Sequence, residues 1–333
     1  MSDRDPVDVW SALPEAMLDG EGPTYYDRPA IKEPVWIWSV PAYFYVGGSA
    51  GAAALLGAVA TGASDLDDVE RYGRWIAAIG TTVGTGFLII DLGRPERFLN
   101  MLRVFRPTSP MSLGSWLLAA TSGAAVVAAA TRRHDGAIGA MGDLAGVAAG
   151  AFGAPLAGYT GVLIANTAVP AWQGARRTLP LLFTASGIAG AASLLELLPL
   201  GDRGAATVRW YGAIGAAGEL AAGEALTREV GQVDGVAEPY HDGVSGTLWK
   251  VAKGATAASL LLRLLPGAGR RTRFLSGLLG TVGAVSLRFA VFHAGKRSAR
   301  DPRATFRRQR AGYGGAEVTE TAAVTGPDRR ALD

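Results

Sequence analysis

The sequence predicts an all-α integral membrane protein with about eight transmembrane helices, and three observations carry that expectation. Charged residues make up only 18% of the 333, where soluble domains carry about 25%. The apolar residues gather into runs of about 20, the length a helix needs to cross about 30 Å of hydrocarbon. Glycine is abundant, at 46, and recurs four residues apart inside those runs, as in Gly47 with Gly51, Gly80 with Gly84 and Gly146 with Gly150. Glycines at that spacing share a helix face and let two backbones approach closely.

Taken in order, the expected spans lie near 36–61, 75–92, 112–131, 144–169, 179–199, 206–226, 248–266 and 274–295. The seventh has Lys250 and Lys253 at its start and Arg263 near its end; such long cations are expected to snorkel to the interface. Residues 1–34 form an acidic arm, with Asp3, Asp5, Asp8 and Glu15 among its carboxylates and no cleavable signal pattern, so insertion is expected to begin at the first span. Residues 35–296 form the helical domain, and 297–333 a basic, then Gly- and Thr-rich, extended tail. That tail reads equally as a clamp on a partner or as a solvated arm near anionic lipid.

An even number of spans puts both ends on one side. That side holds the 93–111 loop, Arg176, Arg177 and the basic tail, while the 62–74 loop opposite is acidic. The bias predicts cytoplasmic termini in the inner membrane. Arg270, Arg271 and Arg273 argue the other way.

Between the second and third spans lies Asp91 to Trp116, DLGRPERFLNMLRVFRPTSPMSLGSW. Pro95 suits a first helical position, and Phe98, Leu102 and Phe105 make one apolar face at i, i+4 and i+7. The expected element is a short interfacial helix at 95–106. Arg94, Arg97, Arg103 and Arg106 would face water, phosphate or a docked partner, and the phenylalanines lipid. The plainer reading is a basic loop without a docking role. Ser109 and Pro110 suit the N-cap and first residue of the next helix.

DLGRPERF followed by MLRVFRPTSPMSLGSW resembles the hallmark loop of the NrfD family, the membrane subunits of polysulfide-reductase-type complexes. WIWSVPAYFYVGGSAGA resembles that family's first span, PLAGYTGVLIANTAVPAW its fourth and RFAVFHAGKRSARDPRATFRRQR its C-terminal end. The resemblance implies a pair of four-helix bundles. It also implies a membrane subunit that binds a quinone, menaquinone above all. Such a subunit exchanges electrons with a ferredoxin-like iron–sulfur subunit, itself joined to a molybdopterin catalytic subunit of polysulfide, thiosulfate or formate type. It would not be catalytic alone.

The composition fits that division of labour. The sequence has no cysteine and only His134, His241 and His293, none expected at mid-membrane. Thiolate metal sites, cysteine-bound iron–sulfur clusters and a two-haem core are therefore not expected in this chain. No Gly-rich phosphate loop follows a strand.

In the fourth span, Pro155 removes an N–H and would kink the helix. Tyr159 and Asn166 stand seven residues apart on one face, where a hydroxyl and an amide would hydrogen-bond a quinone carbonyl. The rival reading puts Tyr159 in the interfacial aromatic belt. The resemblance to the family's quinone-contacting tyrosine favours the site. Trp36, Trp38, Tyr43, Phe44 and Tyr45 open the first span, either as an aromatic belt or as a pocket wall with Trp38 and Tyr43 in contact with the ring. The family has a histidine near this point and this sequence has none, so Tyr43 stands in as proton donor. Asp91, Glu196, Glu219 and Arg288 are ionisable groups within or at the ends of spans. Such groups are costly and default to function. Asp91 would pair with Arg94 or cap a helix. Glu219 and Arg288 would form a buried pair or, with Glu196, relay protons. The rival to the whole reading is a proton- or ion-translocating protein, or a structural anchor, without a quinone site.

Overall fold

The computed structural model describes residues 31–305, except 234, 268 and 303. The acidic arm up to residue 30 and the tail beyond 305 lie outside these residues. Eight helices of 19 residues or more carry the fold: α1 (Ser39–Ala60), α2 (Asp67–Asp91), α3 (Pro110–Thr131), α4 (Gly136–Ala165), α5 (Thr178–Glu196), α6 (Asp202–Val230), α7 (Gly243–Leu264) and α8 (Arg270–Arg300). Among the described residues there is no strand. Six helices, α1 to α5 and α8, are long and apolar enough to cross a membrane. The other two have the length, but α6 carries Arg209, Glu219 and Glu224, and α7 carries Lys250, Lys253 and Arg263. By length and composition, then, six of the eight qualify as membrane spans.

The helices close into two rings. In the first, α1 packs on α2 and α4, and α3 bridges α2 and α4; in the second, α5 packs on α6 and α8, and α7 bridges α6 and α8. The expected pair of four-helix bundles is present. The rings meet where α5 lies against α1 and α4, and α8 against α1. Trp172, Phe183, Leu179, Leu287 and Phe292 fill this joint. Outward-facing Ile79, Val83, Leu144, Leu181 and Ile214 remain exposed, as lipid-facing side chains do.

Glycine spacing does what the sequence predicts. A Cβ on Gly51 would stand 2.5 Å from the Gly153 carbonyl oxygen, and one on Gly153 2.6 Å from that of Gly51. One on Gly80 would stand 2.7 Å from Ala50 Cβ. The first helix is thus held backbone to backbone against α4 and close against α2, where any side chain larger than hydrogen would part them.

Connections differ between the two ends. On the side of the described ends, here called the terminal side, 92–109, 166–177 and 231–242 are long; on the opposite side, 61–66, 132–135, 197–201 and 265–269 are short. The described ends meet on the terminal side. Glu33 pairs with Arg300 at 2.6 and 3.0 Å and with Lys296 at 3.2 Å. The Arg300 guanidinium bonded to it holds the Glu33 carboxyl below its usual range. Opposite, Arg203 pairs with Asp65 at 3.0 Å, Asp68 accepts the Gly201 N–H at 2.6 Å, and Arg132 pairs with Asp67.

Several sequence expectations are corrected. The interfacial helix is a 3₁₀ segment, Pro95–Leu102, and stops short of 106. The fourth span begins at Gly136 rather than 144. Arg263 does not snorkel: it is 3% exposed and buried beside Glu196. Arg74, left just outside the second span by the sequence reading, is also buried, against Glu70 at 3.0 Å and Asp143 at 2.9 Å. The Ser109–Pro110 start of α3 stands as expected, with the Ser109 hydroxyl accepting the Ser112 N–H at 3.4 Å.

Candidate functional site

The first ring encloses a cavity of about 290 Å³ at its terminal-side end. All four helices wall it, and the 3₁₀ segment covers it with Phe98, Met101 and Leu102. These three are half-buried while the arginines around them are exposed. The amphipathic pattern is therefore satisfied by the bundle mouth rather than by lipid. Phe105, expected on the same face, lies beyond the segment, is exposed, and meets Trp116 edge-on at 6.1 Å. Leu88, Leu118 and Leu163 give the walls their mostly apolar character.

Tyr159, Tyr43 and Asp91 stand out among the cavity's polar side chains, beside the hydroxyls of Thr85, Ser115 and Ser122. Tyr159, on α4, is 8% exposed, and its hydroxyl donates to the Pro110 carbonyl at 2.6 Å. A carbonyl can only accept, so this bond commits the tyrosine proton and leaves the oxygen as an acceptor. The ring lies flush on α3: a Cβ on Gly114 would come within 1.8 Å of it. Tyr43, on α1, is buried among glycines, with Gly47 and Gly84 leaving room for its ring. Asp91, ending α2, lines the mouth and accepts the Ile37 N–H at 3.0 Å. It thereby fixes the approach to α1. No Asp91–Arg94 ion pair exists among the described residues.

The structure brings Tyr43, Tyr159 and Asp91 together and leaves two other candidates apart. Asn166 sits at the C-cap of α4, exposed, its amide donating to Val162 O at 2.8 Å. The helix ends before the seven-residue spacing can bring it round to Tyr159. Trp38 is 57% exposed against Phe87, at 5.7 Å. Trp36 lines the cavity instead and stacks on Trp172 at 5.9 Å. Arg94, Arg97, Arg103 and Arg106 are all exposed on the same side.

A second polar region occupies the core of the other ring. Arg263 Nε and Nη2 bind the two Glu196 carboxylate oxygens at 2.9 and 3.1 Å, and further donors reach Gly212 O and Ser193 Oγ. Sequence reasoning missed this pair. Its signal was there: two opposite charges, each inside an apolar run. Nearer the middle of α6, Glu219 is 3% exposed and takes the Thr256 hydroxyl at 2.6 Å. Arg288 is 1% exposed, stacks on the Phe183 ring at 3.9 Å and donates to Phe183 O at 2.9 Å. Glu219 and Arg288 form no ion pair within 4.0 Å, contrary to the expected pair, because the guanidinium is held at the joint between rings. Glu219 Oε2 and Arg288 Nε and Nη1 are buried without a hydrogen-bond partner. Among the described residues no group of carboxylates and histidines has metal-ligand geometry.

Among known families, polysulphide reductase, NrfD, matches residues 29–209, which take in the first ring, α5 and the start of α6. No curated protein matches the chain. The matched segment is more than half of the chain and contains every wall of the cavity. The chain therefore belongs to the NrfD family and is a multi-pass membrane subunit of the oxidoreductase-complex type.

Proposed function

We propose that this protein is the quinone-binding subunit of a molybdopterin and iron–sulfur oxidoreductase complex, of polysulfide, thiosulfate or formate type. It links the membrane quinone pool, menaquinone in particular, to a docked iron–sulfur subunit. The observation that carries this reading is the terminal-side cavity. Its volume of about 290 Å³ and mostly apolar wall suit a ring-sized headgroup, and its polar groups are few and convergent. A bound quinone supplies two-electron chemistry coupled to two protons.

The side chains divide the remaining work. The Tyr159 oxygen, its own proton engaged at Pro110, is an acceptor for a quinol hydroxyl. Tyr43 holds a second hydroxyl across the cavity. Asp91 is the ionisable group at the mouth, placed to pass protons to water. Phe98 and Leu102 exclude water from above. Arg94, Arg97, Arg103 and Arg106 lie on the same side, suited to an acidic surface of a partner. Iron–sulfur clusters and metals belong to the partners in this reading. Both termini face the cytoplasm across the inner membrane, in line with the basic terminal-side loops. Alkaline phosphatase fused after α8 stays inactive if this orientation holds.

The test is quinol oxidation by the assembled complex carrying Tyr159→Phe. A fall of tenfold or more, with the iron–sulfur subunit still co-purifying, supports the site. Full activity leaves a structural anchor.

A second reading, proton translocation, is favoured by one observation: Glu219 and Arg288 are buried at the core of α6 and α8 with unpartnered polar atoms. Groups left so at membrane depth suit a relay. With Glu196 and Arg263 below them, they mark a polar file through the second ring. Reconstituted complex with pH dyes on both sides tests it; unaltered proton coupling in Glu219→Gln removes it.

A further inference from the structure

The opposite-side end of the second ring holds a cavity of about 400 Å³ between α6, α7 and the start of α8. Its charges do not balance. Arg263 at its floor is satisfied by Glu196, Gly212 O and Ser193, which take all but one of its five N–H donors. Three further guanidiniums line the cavity, Arg209 from α6 and Arg270 and Arg273 from α8, against one other carboxylate, Asp202. None of the three is in an ion pair among the described residues. Arg273 Nε is shielded from solvent and has no acceptor. The first-turn amides of α8 begin at the same place, adding partial positive charge.

The depth of the cavity narrows the anion. Arg209 is followed by Trp210, 57% exposed, and Arg273 by Phe274, 47% exposed. Leu261, just before Leu262 in the cavity wall, is 66% exposed. Exposed aromatics beside cations at a helix end mark the headgroup level of a bilayer. We propose that this cavity binds the phosphate group of an anionic phospholipid, gripped by Arg209, Arg270 and Arg273, with its acyl chains along the apolar outer faces of α6 and α7. The proposal is independent of the quinone site, which lies at the other end of the other ring. It also gives the arginines near 270 a role other than setting membrane orientation.

Native mass spectrometry of the detergent-purified full chain tests it, with phosphatidylglycerol, phosphatidylcholine and inorganic phosphate as separate probes. The expected result is retention of phosphatidylglycerol at concentrations where phosphatidylcholine is lost. Half-occupancy should shift about fivefold for each of Arg209→Gln, Arg270→Gln and Arg273→Gln, as expected for one surface cation near lipid. Arg271→Gln, one residue away and outside the cavity, should not shift it. Single substitutions keep the test open if the triple variant does not fold. Equal retention of both lipids, or no shift in any cavity variant, overturns the proposal. Equal occupancy by inorganic phosphate overturns the lipid assignment in favour of a free anion.

Discussion

Tyr159 does two things at once: its ring fills the space that Gly114 leaves on α3, and its hydroxyl closes on the Pro110 carbonyl. The two can be separated. Tyr159→Phe keeps the ring and removes one hydrogen bond, so the fold should lose only about 1 kcal/mol. Gly114→Ala keeps the hydroxyl but drives a methyl into the ring. Displacing a packed ring costs about 1–3 kcal/mol, so the thermal midpoint in detergent should fall further than for Tyr159→Phe. Quinol turnover should fall in both. If Gly114→Ala melts and turns over like the parent protein, the ring does not occupy this place. Tyr43, Tyr159 and Asp91 were legible as candidates because a polar atom within or bordering an apolar run needs a partner. Asn166 was not separable from them, since only the place where α4 stops decides whether a seven-residue spacing still means one face.

Among elements, the 3₁₀ segment and α7 show what periodicity resolves and what it misses. The i, i+4 pattern identified an amphipathic piece, but sequence has no term for which apolar surface receives it. Here the bundle mouth receives it, with Phe98 and Leu102 lining the cavity. Phe98→Ala should therefore raise the KM for quinol several-fold at unchanged kcat, the pattern of lost uniform binding. An unchanged KM would place the segment outside the substrate path. The seventh helix was hard to read because Arg263 suggested a membrane boundary. Its partner, Glu196, sits 67 residues away on α5, and only packing joins them. Arg263→Leu should cost about 3–5 kcal/mol by leaving Glu196 buried and unpaired. The double variant Glu196→Leu with Arg263→Leu should recover most of that loss. If the double variant melts no higher than the single, the pair is not the source of the effect.

At the scale of the whole molecule, two rings of identical helix order meet along α1, α4, α5 and α8. The first ring carries the hallmark loop and the cavity; the second carries most of the buried charge. Fold class and helix number were legible because hydrocarbon imposes a length on each run. How many runs cross was not, because α6 and α7 carry charges inside their apolar runs, and the partner that buries Arg263 lies on a third helix, α5. The ends of the described chain are pinned by Glu33. Its carboxyl is held below the ordinary value of 4.5 by Arg300. The stabilisation is therefore full above that value and lost as pH falls through the lower, folded one. Thermal melts from about pH 7 down to about pH 3 should show an acid decline that Glu33→Gln flattens. Identical acid limbs in the two proteins would assign the decline to other carboxylates.

The clasp joining Glu33 to Arg300 and Lys296 means that the two limits of the described chain meet at one spot on its perimeter. A circular permutant, with residues 31 and 305 bridged by a short linker and new termini cut between α4 and α5, would be synthesised with the second ring first. Every helix would keep its direction, since each half contributes an even number of them. Whether that permutant still inserts and binds its partners reports on the order of assembly: recovery means either half can template the other, while failure means the half bearing the hallmark loop has to be born first.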